Sequence, residues 1–176
     1  MPATHRISVV SGLVFFGAQV AMFGVSRPPS WDEAVYLSQV TRGVPAATFV
    51  ASRARGITLL IAPVSAFATS VWPVRLFLAA ASAVAITFAF ARWRDLVGGR
   101  SALVAMWIFM GTWVTSFYGS AIAPNLWMAV AGLAATAAMI HALRSVTPTR
   151  RQLIEVAGFA LAAALVRPFD AVILAA

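Results

Sequence analysis

Residues 101–140 read SALVAMWIFMGTWVTSFYGSAIAPNLWMAVAGLAATAAMI, a run without a single Asp, Glu, Lys or Arg. As one straight helix rising 1.5 Å per residue it would extend ~60 Å, about twice the hydrocarbon thickness of a bilayer. The run must therefore double back. Its natural tip is Ser120-Ala121-Ile122-Ala123-Pro124-Asn125, where Pro and Asn interrupt helical continuity. A hairpin of two apolar helices makes the chain an all-α, polytopic transmembrane bundle.

Composition agrees. Of 176 residues, 61% are hydrophobic and 10% are charged, against roughly 25% charged in a soluble domain. Mean hydropathy is +0.89. The net charge is +8, and all the basic residues are Arg. They stand at the ends of apolar runs, where they anchor and orient membrane helices, rather than in a patch suited to nucleic acid. Arg-only usage with abundant Ala is a bacterial, GC-rich composition. The chain has no Cys, which excludes disulfides and thiolate metal sites, and its two His, His5 and His141, are far apart. A His-based metal cluster is not expected from such a set; two adjacent carboxylates alone do not make a convincing site, and the sequence leaves dependence on a divalent cation open.

Outward from the hairpin, Leu153–Val166 predicts a further helix, broken at Arg167-Pro168-Phe169-Asp170. On the N-terminal side Leu76–Ala91 is uncharged, and Ile57–Val74 is uncharged but interrupted by Pro63 and Pro73. Ile7–Val25, behind His5 and Arg6, predicts an uncleaved signal anchor with a cytoplasmic N-terminus. The basic loops Arg92–Arg100 and Arg144–Arg151 flank the hairpin, so they share a side. The positive-inside rule puts that side in the cytoplasm. An even number of crossings must then separate His5 from Arg92. Ile57–Ser70 is accordingly expected to lie on the outer surface or dip in and return, with the next crossing from about Pro73 to Ala91. The total is about five crossings in one transmembrane domain spanning residues 1–176, plus surface helices in the first outer loop, residues 26–56.

That loop carries two of the five acidic residues side by side, in Ser30-Trp31-Asp32-Glu33-Ala34-Val35-Tyr36. Ser30 and Glu33 have the spacing of a capping box, which would give Glu33 a purely structural task. Asp32 and Tyr36, one helical turn apart, would share a face just above the membrane. An outward carboxylate beside a phenol there can take a proton from an acceptor hydroxyl. Arg27, Arg42, Arg53 and Arg55 can each contact a phosphate, or simply lipid headgroups. Arg167 with Asp170 reads first as a helix-end pair, Asn125 as a turn residue, and the six Trp as interfacial anchors, with Trp31 set apart by its neighbour Asp32.

The order of these features resembles the N-terminal part of the polytopic GT-C glycosyltransferases that use polyprenyl-phosphate sugars, the broad protein-mannosyltransferase and aminoarabinose-transferase (glycosyltransferase 39-like) grouping. The resemblance rests on the anchor helix, Pro-Pro-Ser-Trp-Asp-Glu-Ala-Val-Tyr, Trp72-Pro73-Val74-Arg75-Leu76 and Ala123-Pro124-Asn125, and covers nearly the whole chain. It implies a bacterial plasma-membrane enzyme of the cell envelope, transferring sugar from a polyprenyl-phosphate donor to an extracytoplasmic acceptor. By the same resemblance Asp32 is the catalytic base, with Glu33 and Tyr36 beside it; of the outer-face Arg residues, Arg55 and Arg167 are the choices for stabilising the departing lipid phosphate. The chain departs from the family pattern twice: Pro124-Asn125 stands where Pro-Asp is usual, and Arg53-Ala54-Arg55-Gly56 replaces His-Pro-Pro. Family members are also several times longer, so this chain reads as an N-terminal fragment, inactive by itself. The alternative is a small non-enzymatic membrane protein, a transporter piece or assembly subunit. Against transport, Asp95, Glu155 and Asp170 all fall outside the centres of the expected spans.

Overall fold

The computed structural model describes residues 3–23, 27–49 and 55–175, and in them every regular element is helical. The helices are α1 (Ala3–Phe23), α2 (Trp31–Ser38), α3 (Gly56–Ser65), α4 (Val71–Val97), α5 (Gly99–Gly111), α6 (Trp113–Ser120), α7 (Asn125–Leu143), α8 (Arg150–Val166) and α9 (Pro168–Ala175).

The faces of α1 show what solvent the bundle is built for. Ser8, Ser11, Phe15 and Gln19 recur at helical spacing and are buried, while Ile7, Val10, Leu13, Val14 and Met22 point outward. In water this arrangement would waste apolar burial; in lipid it costs nothing, since tails are as apolar as Leu. Gln19 is fully enclosed. Its amide Nε2 donates to the Ala79 carbonyl at 3.3 Å, and its Oε1 accepts from the Ser82 hydroxyl at 3.3 Å. Gly119 of α6 makes room for it: a Cβ there would stand 1.9 Å from Gln19 Oε1.

The central element is α4, packed against α1, α3, α5, α6 and α7. It buries Val74, Leu78, Ser82 and Ile86 at strict four-residue spacing, one face of a helix. It also runs straight through the expected basic loop. Only Gly98, at φ +85°, separates it from α5, and that left-handed value is one glycine adopts without cost. The indole Nε1 of Trp93 holds this extension down by donating to the Leu133 carbonyl at 3.1 Å.

The hairpin forms where expected, with its tip at residues 121–124. Its first arm is not straight. At Thr112 the axis bends by 72° between α5 and α6, and the Thr112 hydroxyl caps α6 by accepting from the Thr115 N–H. Among the described residues, α4 and α7 are long and apolar enough to cross a membrane, and the bent α5–α6 pair makes a third span if counted as one. That is fewer than the five expected. The apolar stretch of α1, Arg6–Met22, is shorter, and α8 opens on Arg150 and Arg151 with Glu155 one turn on. α3, at 10 residues, is ~15 Å long and cannot cross.

The two ends of the bundle are chemically distinct. α1 runs antiparallel to α4, since Gly12 abuts Thr87 whereas Gln19 meets Ala79. At one end Arg92 pairs with Glu155, which also accepts from Arg151 at 3.1 Å, and His141 Nε2 lies 3.1 Å from the Arg92 carbonyl. The start of α1 shares this end. The opposite end gathers α2, the hairpin tip and the α8–α9 break.

Candidate functional site

The local chemistry of α2 is that of a well-capped helix. Ser30, extended at φ −70° and ψ 166°, accepts from the Glu33 N–H, and the Glu33 carboxylate accepts in return from the Ser30 N–H at 2.9 Å. Both halves of the capping box are present. Glu33 does much more than cap, however. It is 2% exposed, and its carboxylate also accepts from Arg75 Nη2 at 2.9 Å, Arg75 Nε at 3.3 Å, Arg27 Nη2 at 3.2 Å and the Ile122 N–H at 3.2 Å. One carboxylate thus ties α2 to α4 and to the hairpin tip. Burial pushes the Glu33 carboxyl upward, but the Arg75 hydrogen bond, the Ser30 and Ile122 N–H groups and the Arg75 charge outweigh it and hold the group below the ordinary value. Glu33 is an anchor, with its oxygens occupied.

Arg75 is the residue that sequence reasoning passed over. It stood as a boundary between apolar runs, yet it is 1% exposed. Besides Glu33 it donates to the carbonyls of Arg27 and Pro28. Its position in an otherwise apolar helix start was the available signal, because a charge placed there needs a fixed partner.

Around this anchor lies a cavity of about 610 Å³. Asp32 and Tyr36 line it from α2, Tyr118, Pro124 and Asn125 from the hairpin, and Arg167 and Asp170 from the α8–α9 break. Asp32 is exposed to it. Tyr36 is buried and stands edge-on to Phe49 at 5.9 Å. Arg167 pairs with Asp170 at 3.2 Å, both half-exposed, so this is the predicted helix-end pair and a cavity wall at once. Arg27 completes the wall, its guanidinium 4.2 Å above the Phe117 ring. Burial lowers the Arg27 value, and the Arg75 charge lowers it further, against the raising effect of Glu33.

Of the residues singled out from sequence, the fold thus brings Asp32, Glu33, Tyr36, Asn125 and Arg167 to one cavity. Arg55 is elsewhere: it precedes α3, exposed, with its guanidinium 5.6 Å from the Phe49 ring. Arg42 lies in the turn after α2, and Arg53 lies outside the described residues. Among the described residues no three His, Asp or Glu gather in a way that would hold a metal ion.

A carboxylate, a phenol and two guanidinium groups on one cavity wall can bind a phosphorylated ligand and accept a proton from it or from a second substrate. Comparison of the chain with family models, curated proteins and solved structures finds no match.

Proposed function

We propose that this chain carries part of the active site of a membrane glycosyltransferase that takes sugar from a polyprenyl-phosphate donor and delivers it to an extracytoplasmic acceptor. The observation that carries the reading is the convergence of Asp32 and Tyr36 with Arg167, more than 130 positions further along the chain, on one cavity at the end of the bundle remote from Arg92 and Arg151. Asp32 is the base: it deprotonates the acceptor hydroxyl, whose oxygen attacks the anomeric carbon. The sugar–phosphate bond breaks, and Arg167 and Arg27 stabilise the charge that stays on the lipid phosphate. Arg27 replaces Arg55 in that role, because Arg55 does not line the cavity.

In the proposed topology α1 and α8 cross together with α4, the bent α5–α6 pair and α7. Their antiparallel packing and the collection of Arg92, Arg144 and Arg151 toward one end support a cytoplasmic N-terminus. The test is transfer from a radiolabelled polyprenyl-phosphate sugar by the protein in its membrane. Asp32→Asn should lower turnover by about 10²–10⁴-fold with unchanged expression and melting temperature. Retained turnover would sink the base assignment.

A further inference from the structure

The Arg75 guanidinium makes four hydrogen bonds, and all of them fall on residues 27–33. Two go to the Glu33 carboxylate, at 2.9 and 3.3 Å, and the others to the backbone carbonyls of Arg27 and Pro28. Arg75 therefore grips the segment that carries Arg27, yet it is 1% exposed and does not line the large cavity. Arg27 does line it, with 23% of its side chain exposed. Its own link to Glu33 is one bond from Nη2 at 3.2 Å, and among the described residues its guanidinium donates to nothing else. The Phe117 ring, 4.2 Å from the guanidinium carbon, steadies it from another side.

Stability alone accounts poorly for this arrangement. A buried ion pair is often no more stabilising than apolar residues of similar volume. The Ser30 and Ile122 N–H groups already hold the Glu33 carboxylate, at 2.9 and 3.2 Å. Charge accounts for it better. Glu33 against Arg27 alone would sum to zero. With Arg75 behind Glu33, the three groups carry one net positive charge, and the cation that reaches the cavity is Arg27. Arg167, on another wall, has its own acid in Asp170 at 3.2 Å.

We propose that Arg75 is a positioning residue of the phosphate site: it neutralises Glu33 from the buried side and fixes the Arg27 backbone, so that Arg27 presents an uncompensated positive charge to a phosphate in the cavity. This rests on the glycosyl-transfer reading, in which that phosphate belongs to the polyprenyl donor.

The experiment measures binding of a ten-carbon isoprenyl phosphate to the full chain in a neutral detergent at pH 8, by isothermal titration, with the matching uncharged alcohol as control. Three substitutions separate charge from structure. Glu33→Gln leaves two cations and no acid. It should melt lower than its parent yet bind about 5-fold tighter, the effect of one unit charge beside a phosphate in a solvent-open cavity. Arg75→Gln leaves Glu33 against Arg27 alone and should bind about 5-fold more weakly. Arg75→Lys loses the planar fork, as Arg75→Gln does, but keeps the charge; its affinity should stay within about 2-fold of the parent. If Glu33→Gln does not fold, the contrast between Arg75→Lys and Arg75→Gln decides alone. A merely structural Arg75 would weaken binding in every variant, in the order of their melting temperatures. That outcome, or equal affinities throughout, overturns the inference and leaves the cavity a phosphate site. A parent chain that binds the phosphate no better than the alcohol overturns the inference together with the reading beneath it.

Discussion

Removing the Glu33 carboxylate should do more damage than removing any other acid of this chain. In Glu33→Ala, Arg75 stays buried at 1% exposure without its counter-charge, and orphaning one partner of a buried pair costs about 3–5 kcal/mol. Losing the carboxylate that accepts from the Ser30 N–H adds about 1 kcal/mol. The sum is about 4–6 kcal/mol, or roughly a 10–20 °C fall in melting temperature for a chain of this size. Glu33→Gln keeps an acceptor for the Ser30 and Ile122 N–H groups and should lose less. Adding Arg75→Met to Glu33→Gln should recover part of the loss, since it removes the stranded charge rather than exposing it. The pH dependence has a definite sign. The folded Glu33 value is depressed, so its stabilisation is fully present above the unfolded carboxyl value. It is lost as pH falls through the lower folded one, and the window lies on the acid side of the ordinary glutamate range. Thermal unfolding in detergent, followed by tryptophan fluorescence between neutral pH and pH 3, reads both effects. A Glu33→Ala protein melting within about 3 °C of wild type at pH 7 would refute the anchor role, since that is under about 1.5 kcal/mol.

Other perturbations have equally specific outcomes. Gly56→Ala sets a Cβ 2.5 Å from the Leu165 carbonyl oxygen, a backbone atom that cannot step aside; it should cost about 1–3 kcal/mol, whereas Gly17→Ala, with open space around it, should cost nothing measurable. Gly119→Ala should also destabilise, and Gln19→Ala should restore most of the loss, because the clash is with the Gln19 side chain. With no native Cys, Trp31→Cys and Val146→Cys, both at exposed positions, should react with an impermeant maleimide from opposite faces of sealed vesicles; labelling from one face would contradict the proposed topology. Arg27→Ala should reduce transfer more than Arg55→Ala, read in the assay that tests Asp32.

What could be read from residue order alone was whatever short-range rules decide. The capping box of Ser30 and Glu33, the tip at Pro124-Asn125 and the break at Arg167-Pro168 each need only a few neighbouring residues, and each is present. Thr112 escaped notice because a bend in an apolar run needs no Pro when a Thr hydroxyl can cap the next segment. The charge of the Arg92–Val97 segment points to a loop, but its two Arg and its Leu are good helix formers, and one glycine suffices for the turn. Arg75 and Arg55 illustrate the harder case. Both are Arg beside apolar runs, and what separates a buried anchor from an exposed cap is a partner many positions away. The span count is lower than expected because an apolar stretch can fall short of a crossing: that of α1 covers only Arg6–Met22, and α8 opens on Arg150 and Arg151 with Glu155 one turn on.

The Glu33 anchor also imposes a schedule on synthesis. Its partners emerge in the order Arg27, Arg75 and Ile122, the last two lying 42 and 89 residues downstream. At 5–20 residues per second, Glu33 waits ~4–18 s for the Ile122 amide. The ion pair with Arg75 can close while the hairpin is still inside the ribosome, and the cavity roof then arrives on a floor already held in place. Arg167 comes last, so the charged wall opposite Asp32 is added only after the tip has docked. A chain stalled shortly after the tip emerges should therefore show the protected Arg75–Glu33 pair while the wall of the cavity that carries Arg167 and Asp170 is still missing.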